Sequence, residues 1–251
     1  MFDILNNNKF NIIQLEQVDS TQSYCKQLDK TKFLEEFTVI YTTNQTSGRG
    51  QQKHKWESEK NKNISFTLLL RPTFLKVQQQ YMITKIISLS IVDCLQKYVN
   101  TEIKIKWPND IYINKNKICG ILSEAVISHN KLSELFVGIG ININQEKFVF
   151  APNPTSLFLE TNQEYDLTLI LNDVLESIAL WYNKLKANHI DEINQKYLSL
   201  LLFKDELHDY LFKSKRIQAI IRDVNPFGHL IFETIDGKQD TAELNQLQFI
   251  L

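Results

Sequence analysis

Several things are scarce in this chain, and each scarcity removes a class of function. The three cysteines, Cys25, Cys94 and Cys119, are scattered without metal-ligand spacing, which argues against both a disulfide-stapled scaffold and a zinc site. Buried free thiols are expected. Net charge is nearly absent at −1, so no overall field draws the chain to nucleic acid or to an anionic lipid surface. No apolar run reaches the length of a membrane span. The start, Met1-Phe2-Asp3-Ile4-Leu5-Asn6, lacks the basic and apolar regions of a signal peptide, so a cytoplasmic protein is expected. Glycine is scarce at seven residues, and no internal repeat or low-complexity linker interrupts the sequence. What remains is an ordinary globular composition over 251 residues, enough to bury a good core in one large domain or two unequal ones.

The most informative stretch is Lys104-Ile105-Lys106-Trp107-Pro108-Asn109-Asp110. Ile103, Ile105 and Trp107 alternate with Lys104 and Lys106, which predicts a strand with one apolar and one cationic face. Pro108 fixes its own φ, lacks an N–H and keeps its predecessor out of the helical region, so the strand should end there. Lys106 then stands at a strand end beside Asn109 and Asp110, an arrangement suited to an anion. The same pattern also fits a hairpin with solvated lysines.

Upstream, residues 10–18 read as a short strand. Asp19 or Ser20 then caps a helix to about Leu28, with Tyr24, Cys25 and Leu28 on its apolar side. Free N–H groups at such a helix start suit a carbonyl or carboxylate, although most caps serve no ligand. Residues 37–42 look like a buried strand and run into a polar loop, 43–56, longer than most connections. Gly48 and Gly50 let the backbone approach a ligand, Arg49 supplies a charge between them, and Trp56 offers a flat face for stacking. The loop is expected to be mobile by itself and to order over a ligand; an ordinary surface loop is the competing reading.

Asn63–Leu70 reads as a strand ended by Arg71-Pro72. Residues 77–99 read as one long helix with Tyr81, Ile83, Ile86, Ile87, Ser90, Ile91, Cys94, Leu95 and Tyr98 on its apolar face. After strand at 111–113 and a turn at 114–117, residues 118–125 return, and Gly120 inside them suggests a bulge or close approach of another group. A turn at 129–131 leads to a strand carrying Gly138-Ile139-Gly140-Ile141-Asn142. This is no dinucleotide fingerprint, because β-branched alternation follows it rather than a helix. Asn142 and Asn144 would share a strand face, and Asn can read an adenine edge. Pro152 and Pro154 mark a loop, Asp166 caps a helix to about Leu185, and residues 190–203 form another with Ile193, Tyr197, Leu200 and Leu201 inward. From residue 204, short strands at 216–222, 230–235 and 244–250 predict a small β-barrel. The expected domains are 1–203 and 204–251.

Taken in order, Ser20-Thr21, the Gly48-Arg49-Gly50 loop ending at Trp56, Lys106-Trp107-Pro108-Asn109-Asp110, Gly120-Ile121-Leu122-Ser123-Glu124 and Gly138-Ile139-Gly140-Ile141-Asn142 resemble the biotin protein ligase family. The resemblance covers residues 12–185, and the β-rich tail resembles that family's small C-terminal domain. It implies an α+β fold: a mixed β-sheet catalytic domain with packed helices, plus an SH3-like β-barrel. It implies biotin, ATP and Mg2+, and a reaction through biotinyl-5′-AMP to a lysine of a biotin carboxyl carrier protein. Lys106 and Arg49 are the implied catalytic cations, since joining a carboxylate to a phosphate brings anions together. Ser20, Thr21, Gln22, Gln45, Gly48, Arg49, Gly50, Lys106 and Gly120 are implied for biotin. Arg49, Gln51, Trp56, Asn109 and Asn142 are implied for the adenylate, and Asp110 for a metal or a structural role.

Two departures bear on the ligand. The family often has an Arg-rich run where this chain has Gln51-Gln52-Lys53-His54-Lys55, and usually Asn where it has Gln22, an amide with one more methylene. The first motif begins within about twenty residues of Met1, so a winged helix-turn-helix and a DNA partner are not expected; nor is a membrane partner, while a homodimer is compatible. The rival readings are a lipoate or octanoate ligase or transferase, and a catalytically silent biotin-binding module.

Overall fold

The computed structural model describes residues 3–7, 9–51 and 55–251. The first part of the chain runs β1 (Asp3–Asn7), β2 (Phe10–Gln14), α1 (Thr21–Lys32), β3 (Thr38–Thr42), β4 (Gly48–Arg49), β5 (Lys55–Trp56) and β6 (Asn63–Leu70). Next come α2 (Tyr81–Leu95), β7 (Ile103–Lys106), β8 (Asp110–Ile113), β9 (Asn116–Ser128) and β10 (Lys131–Asn142). Three helices follow, α3 (Leu157–Thr161), α4 (Leu167–Lys186) and α5 (Ile190–Ser199), and then β11 (Leu207–Phe212), β12 (Lys215–Val224), β13 (Leu230–Thr234), β14 (Gln239–Ala242) and β15 (Leu247–Phe249).

Eight strands form one mixed sheet in the order β1-β2-β3-β6-β10-β9-β8-β7. Among the described strands only β2 and β3 pair in parallel, because α1 lies between them in the chain and supplies the crossover that parallel neighbours need. β3 and β6 are buried at every position; β3 is an unbroken β-branched and apolar run, as a strand covered on both faces requires, whereas β6 alternates Asn63, Ser65 and Thr67 with apolar residues before its Leu68-Leu69-Leu70 end. The fold is α+β, with helices packed on this mixed sheet.

Two helices differ from the pattern expected of them. The 77–99 segment divides into a 3-10 turn, Val77–Gln79, and α2. All of α2 but Asp93 is buried, since α4, α5 and the sheet surround it; the one-sided apolar stripe understates its burial. Residues 200–202 leave α5 and bond to the edge of β7, Ile105 N–H to Leu200 O and Leu202 N–H to Ile105 O, each at 2.8 Å. Covering an open strand edge outweighs a further turn of helix there. Asp166 caps α4 by accepting from the N–H groups of Thr168 and Leu169, as the sequence suggests.

The C-terminal strands form a second, antiparallel sheet in the order β14-β13-β12-β11-β15, of the SH3-like barrel type. It docks on the larger sheet through a few specific groups. Trp107 Nε1 donates to Gly228 O at 2.8 Å. Gly228 has φ +88°, and a Cβ there would lie 2.3 Å from the Tyr81 ring, so both conformation and space demand glycine. Tyr81 donates to Pro108 O at 2.7 Å and lies 2.9 Å from the Tyr197 hydroxyl. The residues after Lys106 are thus held from two sides. Among the described residues, no helix is long and apolar enough to cross a membrane.

Candidate active site

One row of paired residues crosses six strands: Lys106 on β7, Asp110 on β8, Gly120 on β9, Gly140 on β10, Ser65 on β6 and Thr42 on β3. Directly paired residues share a sheet face, so the row is a floor with charged residues at one end and small ones in the middle. Leu122, Gly138 and Thr67 form the adjoining row. Above this floor lies a cavity of about 270 Å³. It gathers Ser20, Thr21, Gln22, Gln45, Arg49, Gly50, Gln51, Trp56, Lys106, Asn109, Asp110 and Gly120, which are motif residues from distant parts of the chain. Gly48 lies behind the lining, and Asn142 lines a smaller neighbouring cavity of about 50 Å³ together with Trp56 and Lys117.

The start of α1 closes one end. Ser20 caps the helix, accepting from Ser23 N–H. Thr21 donates to Gln45 Oε1 through its N–H at 2.9 Å and its hydroxyl at 3.3 Å, and its hydroxyl lies 2.9 Å from that of Thr67. Gln22 Nε2 donates to Leu122 O at 3.0 Å and Phe136 O at 3.1 Å. The extra methylene relative to Asn gives this amide the reach from α1 to both β9 and β10. Gly138 leaves it room, since a Cβ there would stand 3.2 Å from Gln22 Oε1.

The polar loop is not structureless. Its ends form a two-residue ladder, Gly48 opposite Trp56 and Arg49 opposite Lys55; Gln52, Lys53 and His54 lie outside the described residues. The ladder lays the Trp56 indole on the paired glycines of the floor. A Cβ on Gly140 would lie 2.4 Å from the indole and one on Gly120 3.1 Å from it, while one on Gly48 would lie 2.7 Å from Trp56 O. Trp56 Nε1 and Asn142 Oδ1 are buried without a protein hydrogen-bond partner, and such groups are costly unless a ligand or water completes them. Asn142 Nδ2 is engaged by Thr155 O at 2.9 Å. Asn144 does not share its role: β10 ends at Asn142, and the Asn144 amide is consumed by the backbone of Tyr165 at 2.8 and 3.0 Å.

Among the described residues, four cations, Arg49, Lys55, Lys106 and Lys117, line the main cavity against one carboxylate, Asp110. Lys106 Nζ stands 5.4 Å from the Tyr112 ring centre and 5.1 Å from that of Phe249, so the C-terminal sheet reaches the site. Burial draws the Lys106 pKa below its ordinary 10.5, Asp110 opposes, and Lys117 adds to the lowering. Arg49 is exposed at the rim. Asn109 Nδ2 donates to Ile121 O, and Ile121 N–H returns a bond to Asn109 O at 3.0 Å, so this side chain also fixes the strand end. Asp110 Oδ1 is 2.6 Å from Lys117 Nζ. Among the described residues, no three His, Cys, Asp or Glu side chains come together to hold a metal. One carboxylate already paired with an ammonium does not make a resident Mg2+ site, for which several oxygen ligands in octahedral array are needed.

Lys117, Leu122, Gly138, Pro152 and Asn245 also line the cavity, and the sequence motifs did not single them out as ligand groups. A cationic cleft joined to a smaller cavity with an unfilled donor and acceptor can hold a polyanion attached to a heteroaromatic group.

The sequence pattern of the biotin/lipoate A/B protein ligase family matches residues 14–142. The bifunctional ligase/repressor BirA of Bacillus spizizenii is 29% identical over 173 residues, which are 69% of this chain and 53% of that protein. The biotin–[acetyl-CoA-carboxylase] ligase of Mycobacterium tuberculosis is 27% identical over 124 residues, 47% of this chain and 44% of that one. The chain thus spans about half the length of the curated relatives it matches. Among solved structures, the biotin protein ligase from Aquifex aeolicus in complex with biotin and ATP superposes with a TM-score of 0.78 at 28% identity, over 95% of this chain and 97% of that one.

Proposed function

The chain belongs to the biotin/lipoate A/B protein ligase family, and from that premise we propose that it activates biotin with ATP and passes the biotinyl group to a lysine of a biotin carboxyl carrier protein. The observation that carries this reading is the pair of adjoining cavities, polar at the α1 end, cationic in the middle and lined by Trp56 and Asn142 beyond. Thr21, Gln22 and Gln45 offer hydrogen-bonding groups to a polar ureido head, with Ser20, Gly48, Gly50 and Gly120 shaping the space around it. An octanoyl chain could bond neither Gln22 Oε1 nor Gln45 Nε2, the amide atoms that the contacts to Leu122 O, Phe136 O and Thr21 leave over, at a cost in affinity. Trp56 and Asn142 take the adenine, with Gln51 and Asn109 beside the adenylate.

In the first step a biotin carboxylate oxygen attacks the α-phosphorus. A C–O–P linkage forms as the bond to pyrophosphate breaks, and pyrophosphate leaves with the electron pair. Lys106 and Arg49 offset the negative charge that gathers there, the kind of fixed charge that contributes most in a desolvated site. In the second step the neutral amine of the acceptor lysine attacks the acyl carbon, AMP departs with the C–O electrons, and the amine proton passes to solvent. Mg2+, when bound, would come with the triphosphate and neutralise part of its charge.

The assigned catalytic part is 1–203, and 204–251 is a smaller β unit that supports it. Three free, buried cysteines accord with a reducing cytoplasm. The test is acid-dependent exchange of pyrophosphate into ATP. Biotin should support it and lipoate or octanoate should not; exchange with those acids alone would replace the reading with the lipoate one. Tight biotin binding with no exchange would mark a silent binding module.

A further inference from the structure

Part of the wall of the smaller cavity is a segment that its own packing does not hold. Residues 148–152, between β10 and α3, form no regular structure, and Val149 and Phe150 are 89% and 58% exposed, so burial of their side chains does little to fix the backbone. Phe148, Ala151 and Pro152 nevertheless line the cavity together with Trp56 and Asn142.

One carboxylate holds the segment. Glu57 Oε1 accepts from Val149 N–H at 2.7 Å, and Glu57 Oε2 accepts from Phe150 N–H at 2.9 Å and Ala151 N–H at 3.0 Å. Among the described residues, 148–152 make no other hydrogen bond. Bonds to a carboxylate are charge-assisted and roughly twice as strong as neutral ones. Glu57 directly follows Trp56, is half-buried and lines the cavity itself. Two residues on, Glu59 N–H donates to Gln145 Oε1 at 3.0 Å. The chain that carries the indole is thus tied to the 145–152 loop at the base and at the tip. The buried donor and acceptor without protein partners, Trp56 Nε1 and Asn142 Oδ1, belong to residues of the same cavity, so the tie shapes a space whose walls call for a polar ligand.

We propose that Glu57 is a positioning residue for the nucleotide base: it clasps residues 149–151 to the chain behind Trp56 and so fixes one wall of the smaller cavity before the base enters. The inference rests on the reading of that cavity as the adenine site. Glu57 acts through the wall rather than by touching the nucleotide. It orders in advance a segment that the ligand would otherwise have to order, and ordering on binding lowers affinity. The alternative is a tie that steadies a surface loop without effect on the ligand. The sign of the charge helps to separate the two. Glu57 adds negative charge beside a site for a polyanion, so electrostatics alone would make its removal strengthen triphosphate binding, whereas loss of the wall weakens it.

The test is calorimetric titration of the whole biotin-saturated chain with adenosine and with α,β-methylene-ATP, whose α–β linkage does not cleave, for the native protein, Glu57→Ala and Glu57→Gln. The Ala variant should bind both ligands about tenfold more weakly, by the same factor, with biotin affinity within about twofold of native; the Gln variant, which keeps one acceptor oxygen, should lie between. In pyrophosphate exchange the KM for ATP should rise by that factor while kcat holds within about twofold. Unchanged or tighter nucleotide binding, weakening of the ATP analogue alone, or an equal loss of biotin affinity overturns the proposal. A lower melting temperature with unchanged nucleotide affinity assigns Glu57 to the surface tie. If near-ultraviolet circular dichroism shows that the Ala variant does not fold, the Gln variant is judged by the same comparisons. A native chain that binds neither adenosine nor the analogue refutes the adenine reading itself, and this role of Glu57 with it.

Discussion

Lys85 is a buried cation at the junction of α2, α5 and the C-terminal sheet, and its removal should change how stability depends on pH. It is 2% exposed. Its ammonium donates to Asn194 Oδ1 at 2.9 Å and Val224 O at 3.1 Å and stands 5.9 and 5.3 Å from the Tyr81 and Tyr197 ring centres. Burial draws its pKa from 10.5 down to about 8, with Asp223 opposing. Below the folded value both states hold the proton, and the native state bears the cost of a buried charge. Between the folded and unfolded values the unfolded chain binds the extra proton, so unfolding free energy rises by about 1.4 kcal/mol per pH unit. Between about pH 7.5 and 9.5 the gain is about 2 kcal/mol. Lys85→Met removes the titration and leaves Asn194 and Val224 O without that donor. Urea unfolding of both proteins across this range should show their stability difference moving toward the native chain by that amount, other titrations cancelling in the difference. A difference constant to about 0.5 kcal/mol would show that Lys85 titrates as a solvated lysine and that the junction is not dry.

Lys106→Ala should lower biotin-dependent pyrophosphate exchange roughly 10²-fold with an unchanged melting curve. Because Lys106 titrates below its ordinary 10.5, native exchange should fall as alkaline pH removes its proton, and Lys106→Arg should move that fall to higher pH; an unmoved limb would assign it to another group. Gln22→Asn withdraws the amide from Leu122 O and Phe136 O and should weaken biotin binding about tenfold by titration, whereas an unchanged affinity would show that the longer amide is not needed. Gly140→Ala drives a methyl into the Trp56 indole; tryptophan fluorescence should shift and ATP affinity should fall while biotin affinity holds, and a loss of both together would point to a damaged sheet.

Where one periodicity decides the outcome, the sequence is explicit. β6 coincides with Asn63–Leu70, α4 begins at its Asp166 cap, and the Ile-Lys alternation of β7 appears as buried and half-buried positions in turn. Elements with little hydrophobic signal escaped it: β1 is Asp-Ile-Leu-Asn-Asn, β14 is Gln-Asp-Thr-Ala, and α3 has only five residues. Tertiary surroundings set the rest. α2 is enclosed because of what packs around it, and α5 stops where residues 200–202 cover the β7 edge. The motifs did name most residues around the main cavity, because glycines, a strand-end lysine and a stacking Trp each carry a local mechanism. Lys117 was not legible in this way. Its direction depends on one unpaired residue in β9, and that is a matter of register with β8. Phe249 and Asn245 reach the site only through the docking of the C-terminal sheet.

This cavity is proposed to join biotin to AMP and then to a protein lysine. That reaction is tested most directly by incubating the chain with biotin, ATP, Mg2+ and a purified biotin carboxyl carrier domain and weighing the carrier by mass spectrometry. The carrier should gain one biotinyl group on a single lysine, dependent on ATP and nearly abolished by Lys106→Ala. A carrier of unchanged mass, with the native chain folded and binding biotin, would contradict it.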